Sequence, residues 1–147
     1  MIQIALPTAV YLFQVFGLKR FPSSLLVILK STQIIKIGCG VGNDLAKLAR
    51  DFPDFKLPRK PKKKPYEFVV ELGRLAKAKN AVTQATASLA QITAATLHCH
   101  LAKDIRATEW NAQQLTNEQI MYAALDAWVA LEIWSVLRNT PSIGMPL

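Results

Sequence analysis

The sequence predicts one α/β domain with a mainly parallel or mixed sheet. Three observations carry this expectation. Strand-length runs of apolar and β-branched residues alternate with segments of helical periodicity. A glycine-rich turn, Gly38-Cys39-Gly40-Val41-Gly42, joins one such run to a helical segment. The 147 residues, 51% hydrophobic and 19% charged, are enough for one core and too apolar for a disordered chain.

The elements follow in order. The first 18 residues carry no charged side chain and precede Lys19 and Arg20. A membrane anchor is disfavoured: Gln3, Pro7, Thr8 and Gln14 interrupt the run, and the basic residues lie after it. Segments 2–6 and 11–16, separated by Pro7-Thr8-Ala9, are instead predicted to form a hairpin, and no membrane partner is expected. Phe21-Pro22-Ser23-Ser24 then opens a helix through Leu25, Leu26, Ile28 and Leu29. Residues 33–38, with Ile34, Ile35 and Ile37, predict a strand, and residues 43–52 a helix that Pro53 stops. Phe68-Val69-Val70 predicts a further strand, and the Ala- and Thr-rich stretch 81–101 a weak helix. Thr116 and Gln119 form the pattern of a capping box, opening a helix that runs to about Leu137. On that helix Leu125, Trp128, Leu131 and Trp134 are expected to pack against the sheet. The domain is placed at residues 1–140, with a tail at 141–147.

The net charge of +8 is local: six of its basic side chains, Lys56, Arg59, Lys60, Lys62, Lys63 and Lys64, fall in the Pro-rich stretch 56–65, which holds no acid. Such a stretch cannot build core and reads as a solvated loop. Lys60, Lys62, Lys63 and Lys64 can contact nucleic-acid phosphates, and Lys60-Pro61-Lys62-Lys63-Lys64-Pro65 resembles a short nuclear import signal. Cys39 and Cys99 are far apart and show no CxxC spacing, so neither a disulfide framework nor a zinc module is expected, and the compartment reads as intracellular and reducing. His98-Cys99-His100 reads as a surface helix end, because the two imidazoles point about 200° apart on a helix and no second ligand pair follows. Gly38-x-Gly40-x-Gly42 lacks the third glycine of a dinucleotide loop, Asn43 standing in its place.

Two places remain for chemistry. Tyr122 and Asp126 are four apart and share one helix face, a spacing that suits a metal-binding carboxylate beside a phenol that orients water. By itself it equally fits a surface Asp beside a boundary Tyr. Asp44 opens a helix just past the carboxyl end of a strand, where α/β sheets gather functional groups; the helix dipole would favour a carboxylate there without any function.

In combination these segments resemble a known family. Lys36 to Asp44, with Leu45, Lys47-Leu48 and Arg50-Asp51-Phe52, is similar to the second motif of the DEDD 3′-5′ exonuclease superfamily. Lys103, Arg106, Thr108 and Trp110, then Leu115-Thr116, Gln119 and Tyr122-Ala123-Ala124-Leu125-Asp126-Ala127, resemble the third motif in its DEDDy form, of the Werner helicase exonuclease and ribonuclease D kind. The resemblance implies a ribonuclease H-like mixed sheet flanked by helices and a nucleic-acid substrate. It further implies two divalent metals, Mg²⁺ or Mn²⁺, held by four carboxylates and clamping the phosphodiester oxygens. Asp44 and Asp126 would be metal-site carboxylates and Tyr122 would orient the attacking water. The family's first motif, Asp-x-Glu on the first, central strand, occurs nowhere in these 147 residues. The expectation is therefore a sheet lacking that strand and little or no nuclease activity in this chain, with either collapse of the gap, self-association through unpaired strand edges, or a true start further upstream than Met1. A non-catalytic remnant that binds nucleic acid or protein through the basic tract is the alternative.

Overall fold

A computed structural model of the chain describes residues 1–56, 68–101 and 109–141. The elements in it are β1 (Ile2–Leu6), β2 (Ala9–Phe13), α1 (Ser23–Lys30), β3 (Lys36–Gly38), α2 (Val41–Asp51), β4 (Val69–Glu71), α3 (Leu72–Ala78), α4 (Leu89–Leu97) and α5 (Asn117–Asn139). They divide into two compact units, one of Met1–Phe16 with Leu72–Leu147 and one of Gly17–Glu71.

In the first unit β1 and β2 form an antiparallel hairpin with Ile2 opposite Phe13 and Leu6 opposite Ala9. Pro7 and Thr8 alone make the turn, so the second strand starts and ends earlier than the 11–16 expected from apolarity. α5 packs on the hairpin and on α3 and α4. Its buried residues, Gln119, Ala123, Val129, Ala130, Ile133 and Leu137, recur at helical spacing and meet Leu72, Ala76, Ala90 and Ile92 in one core. Leu125 and Trp128 fall on the other side of α5 and are 40% and 42% exposed, which corrects the expectation that they pack against the sheet. The length of α5 and its mean hydropathy of 1.5 match those of a membrane span, and its packing on four other elements accounts for its apolar stripe.

α3 was not foreseen from the sequence. It ends in a left-handed residue, Asn80 (φ 54°), with Ala81 N–H donating to Ala76 O and Asn80 N–H to Lys77 O, a Schellman arrangement. α4 covers only nine residues of the expected 81–101. Ser88 and Gln91 form a capping box that fixes its start, and His98 in the left-handed region fixes its end.

The second unit is built on Phe21, Leu25, Leu29, Leu45, Phe55, Phe68 and Val69, all buried. Phe21 meets Phe52 and Phe55 edge-on, with ring centroids 5.1 and 5.2 Å away. β3 and β4 are parallel, pairing Lys36 with Val69 and Gly38 with Glu71. β3 is three residues long, not the six expected over 33–38. Its length matches the three residues of β4, and Gln33 N–H turns back onto Ser31 Oγ, leaving Ile34 and Ile35 45% and 53% exposed. Among the described residues β1 pairs only with β2 and β3 only with β4, so each has one open edge.

Candidate active site

Tyr122 and Asp126 lie one turn apart on α5, about 6 Å along its axis, both half-buried beside the core-facing stripe. Their position depends on how α5 begins. Thr116 Oγ1 accepts from Gln119 N–H at 3.2 Å, and Gln119 Oε1 accepts from Thr116 N–H at 2.8 Å, so both halves of the predicted capping box form. Gln119 is buried and its Nε2 also donates to Glu109 O at 3.4 Å, tying the approach segment to the first turn. Gln14 Nε2 adds a bond to Ala112 O at 3.0 Å. That segment carries Trp110, whose ring lies 6.1 Å from the Tyr122 ring and tilted by 41°. The Trp110 approach and the Tyr-x-x-x-Asp turn thus form one packed cluster.

Asp44 stands in the other unit, in the first turn of α2, where its N–H donates to Gly40 O at 3.1 Å. Gly40 takes φ 81°, a conformation that favours glycine, and so lets β3 turn directly into the helix. Val41 therefore begins α2, two residues ahead of the expected start. α2 has no N-cap side chain of its own. Its first amides are met by a residue that sequence reasoning missed: Glu71, at the end of β4, accepts from Gly40 N–H at 2.7 Å and from Gly42 N–H at 2.8 Å. Burial, and secondarily the charge of Glu71, push the Asp44 carboxyl above the ordinary carboxylate range.

Cys39 lies in the same turn. Packing around its thiol, with the Glu71 charge as a second cause, pushes its pKa up to about 11. Thiolate is the reactive form, so Cys39 should resist alkylation although the residue is exposed. At pH 8 its rate with iodoacetamide is expected to be about tenfold below that of an unhindered cysteine peptide, the lower thiolate fraction being partly offset by a more basic sulfur. The rate should climb with pH until about pH 11. A rate matching the peptide at pH 8 would contradict this environment.

Tyr122 and Asp126 are thus brought together with Trp110, and Asp44 with Glu71, each cluster within its own unit. Lys60, Lys62, Lys63 and Lys64 lie outside the described residues, as do Lys103, Arg106 and Thr108. Among the described residues no three His, Cys, Asp or Glu side chains gather as a metal cluster. His98, Cys99 and His100 are exposed at the end of α4, with Cys99 Sγ donating to Leu97 O at 3.3 Å.

Residues 1–140 match the family model described as 3′-5′ exonuclease. The chain is 37% identical over 131 residues to the mouse bifunctional 3′-5′ exonuclease/ATP-dependent helicase WRN, covering 88% of this chain and 9% of that protein. It is 29% identical over 133 residues to a Drosophila erecta 3′-5′ exonuclease, covering 88% of this chain and 35% of the relative. The chain thus spans roughly a tenth to a third of these relatives' lengths. Among solved structures it is similar to the Nibbler EXO domain of Aedes aegypti, with a TM-score of 0.78 and 20% identity over 94% of this chain and 68% of that one. This likeness establishes the fold as ribonuclease H-like.

Proposed function

The chain belongs to the 3′-5′ exonuclease domain family, and from that premise we propose that it is the part of a DEDDy-type exonuclease that carries two of the four metal-site carboxylates, Asp44 and Asp126, and the water-orienting phenol, Tyr122. The observation that carries the reading is the packed Trp110–Tyr122 cluster at the start of α5, one turn from Asp126. The substrate class is nucleic acid, DNA or RNA, cleaved at its 3′ end.

The donors suit Mg²⁺ or Mn²⁺ in kind, since both are carboxylate oxygens. They are short in number. No Asp-x-Glu occurs in these 147 residues, and two metals cannot be held by Asp44 and Asp126 alone. When bound, the metals would supply charge stabilisation to the attacking and leaving oxygens. What this chain contributes is a helix N-terminus that places Asp44 and a capped, aromatic-braced helix that places Tyr122 and Asp126. The basic side chains of the 56–65 sequence suit phosphate contact and nuclear import, and they support a nuclear location in this reading. The open edges of β1 and β3 favour self-association.

The test is to restore what is missing. Fusing a strand that carries the family's Asp-x-Glu ahead of Met1 is expected to yield Mg²⁺- or Mn²⁺-dependent shortening of a 3′-labelled strand, reduced roughly 10³-fold or more by Asp126→Ala. A fused chain that folds and binds nucleic acid in a salt-sensitive manner, yet never shortens it, would assign the binding reading instead.

A further inference from the structure

We propose that Glu71 is a positioning residue for Asp44: its carboxylate holds, through the Gly40 and Gly42 N–H groups, the strand-to-helix turn that carries Asp44. The inference rests on the reading of Asp44 as a metal-site carboxylate.

The geometry is that of a two-pronged clamp. Glu71 Oε2 takes the Gly40 N–H at 2.7 Å and Oε1 takes the Gly42 N–H at 2.8 Å, so one rigid carboxylate fixes two amides two residues apart. Gly40 is held from its other side as well, because its carbonyl accepts from Asn43 N–H at 2.9 Å and Asp44 N–H at 3.1 Å. Between these contacts the backbone from Gly40 to Asp44 has little freedom. Helix α2 has no side-chain cap of its own, so a residue 31 positions away in sequence does the work that a local N-cap does elsewhere. The strand pairing places it there, since Gly38 stands opposite Glu71 in the β3–β4 register. The approach is close: a Cβ on Gly42 would stand 3.4 Å from Glu71 Oε1. A helix that needed only an anion at its N-terminus could take one from any direction. This one takes it from the end of the neighbouring strand, so the position of Asp44 is tied to the sheet.

Nuclear magnetic resonance of the whole chain at neutral pH, with Mn²⁺ as the probe, separates positioning from charge. In the unaltered chain the Gly40 and Gly42 amide protons should lie downfield, and Mn²⁺ should broaden the Asp44 amide. Glu71→Gln keeps the shape but replaces one acceptor oxygen by a donor. At least one of the two glycine amides should then move upfield, and the Mn²⁺ concentration for half-broadening at Asp44 should rise threefold or more, with α1 amides unmoved. Glu71→Asp keeps the charge and shortens the reach by one methylene. If Glu71 positions Asp44, Glu71→Asp should behave like Glu71→Gln. Recovery of the unaltered behaviour in Glu71→Asp would show that charge alone matters and would overturn the proposal, as would unmoved Gly40 and Gly42 amides in Glu71→Gln. Mn²⁺ broadening of the Gly40–Asp44 amides that is unchanged in Asp44→Asn, with the glycine amides responding to Glu71→Gln as expected, would overturn the metal reading of Asp44 and reduce Glu71 to a helix cap.

Discussion

Phe55→Ala is expected to destabilise the Gly17–Glu71 unit by about 3 to 5 kcal/mol. Phe55 is 1% exposed, and its ring stands edge-on to Phe21, which is itself 4% exposed and meets Phe52 in the same manner. Removing the ring therefore leaves a cavity against Phe21 and takes away one of the two edge-on contacts of the Phe21 ring. Edge-to-face pairing, worth about 0.5 to 1.5 kcal/mol beyond area, is lost with it. Whole domains are stable by only about 5 to 15 kcal/mol, so the loss is a large share of what holds this unit. Tryptophan fluorescence cannot report it, because Trp110, Trp128 and Trp134 all lie in the other unit. Amide exchange along α2 can, and its protection should fall by about a hundredfold or more. Phe55→Leu should lose far less. A change of less than about 1 kcal/mol in Phe55→Ala would show that the three-ring cluster is not the core of this unit.

Gly73→Ala is expected to destabilise the other unit by about 1 to 3 kcal/mol, against the direction helix propensity alone predicts. In an open helix the change would stabilise by up to about 1 kcal/mol. Here a Cβ would stand 2.2 Å from Ala85 O and 3.1 Å from Ala85 C, which are backbone atoms that cannot rotate away. Either α3 or the segment before α4 must shift, and both pack against the same core through Leu72, Ala76 and Ile92. The three tryptophans make urea unfolding by fluorescence the natural readout. A lowered midpoint with unchanged slope supports the contact. A raised midpoint would mean that α3 and the Ala85 carbonyl do not approach this closely.

How far the sequence reveals these features depends on how local each one is. The Thr116–Gln119 capping box is specified within four residues and forms where the sequence places it. The hairpin, by contrast, forms with its second strand at Ala9–Phe13 in place of 11–16, and the Gly38–Gly42 turn leads into a helix that starts two residues early. α3 escaped notice because Gly73 weakens its helical signal, and that glycine is there for the Ala85 carbonyl, a contact twelve residues away that no local pattern records. Ser88 and Gln91 carried the same box as Thr116 and Gln119, but the Ala- and Thr-rich run around them blurred where α4 should begin. Ile34 and Ile35 have strand propensity, but among the described residues no strand pairs with them, and they are exposed while Ile37 pairs. In the candidate site, Tyr122 and Asp126 were legible as an i, i+4 pair, and Asp44 as the residue after the glycine turn. Glu71 was not, since its role comes from strand register and not from any motif it belongs to.

In the proposed reading this chain has the exonuclease fold and two of the four metal-site carboxylates of its family. That reading is tested most directly by incubating the purified 147-residue protein with 3′-labelled single- and double-stranded DNA and RNA in Mg²⁺ and in Mn²⁺, beside its Asp126→Ala variant. The account predicts no shortening above background in any combination and no difference between the two proteins. Metal-dependent, stepwise loss of nucleotides from the 3′ end, abolished by Asp126→Ala, would contradict it and would mean that other side chains stand in for Asp-x-Glu.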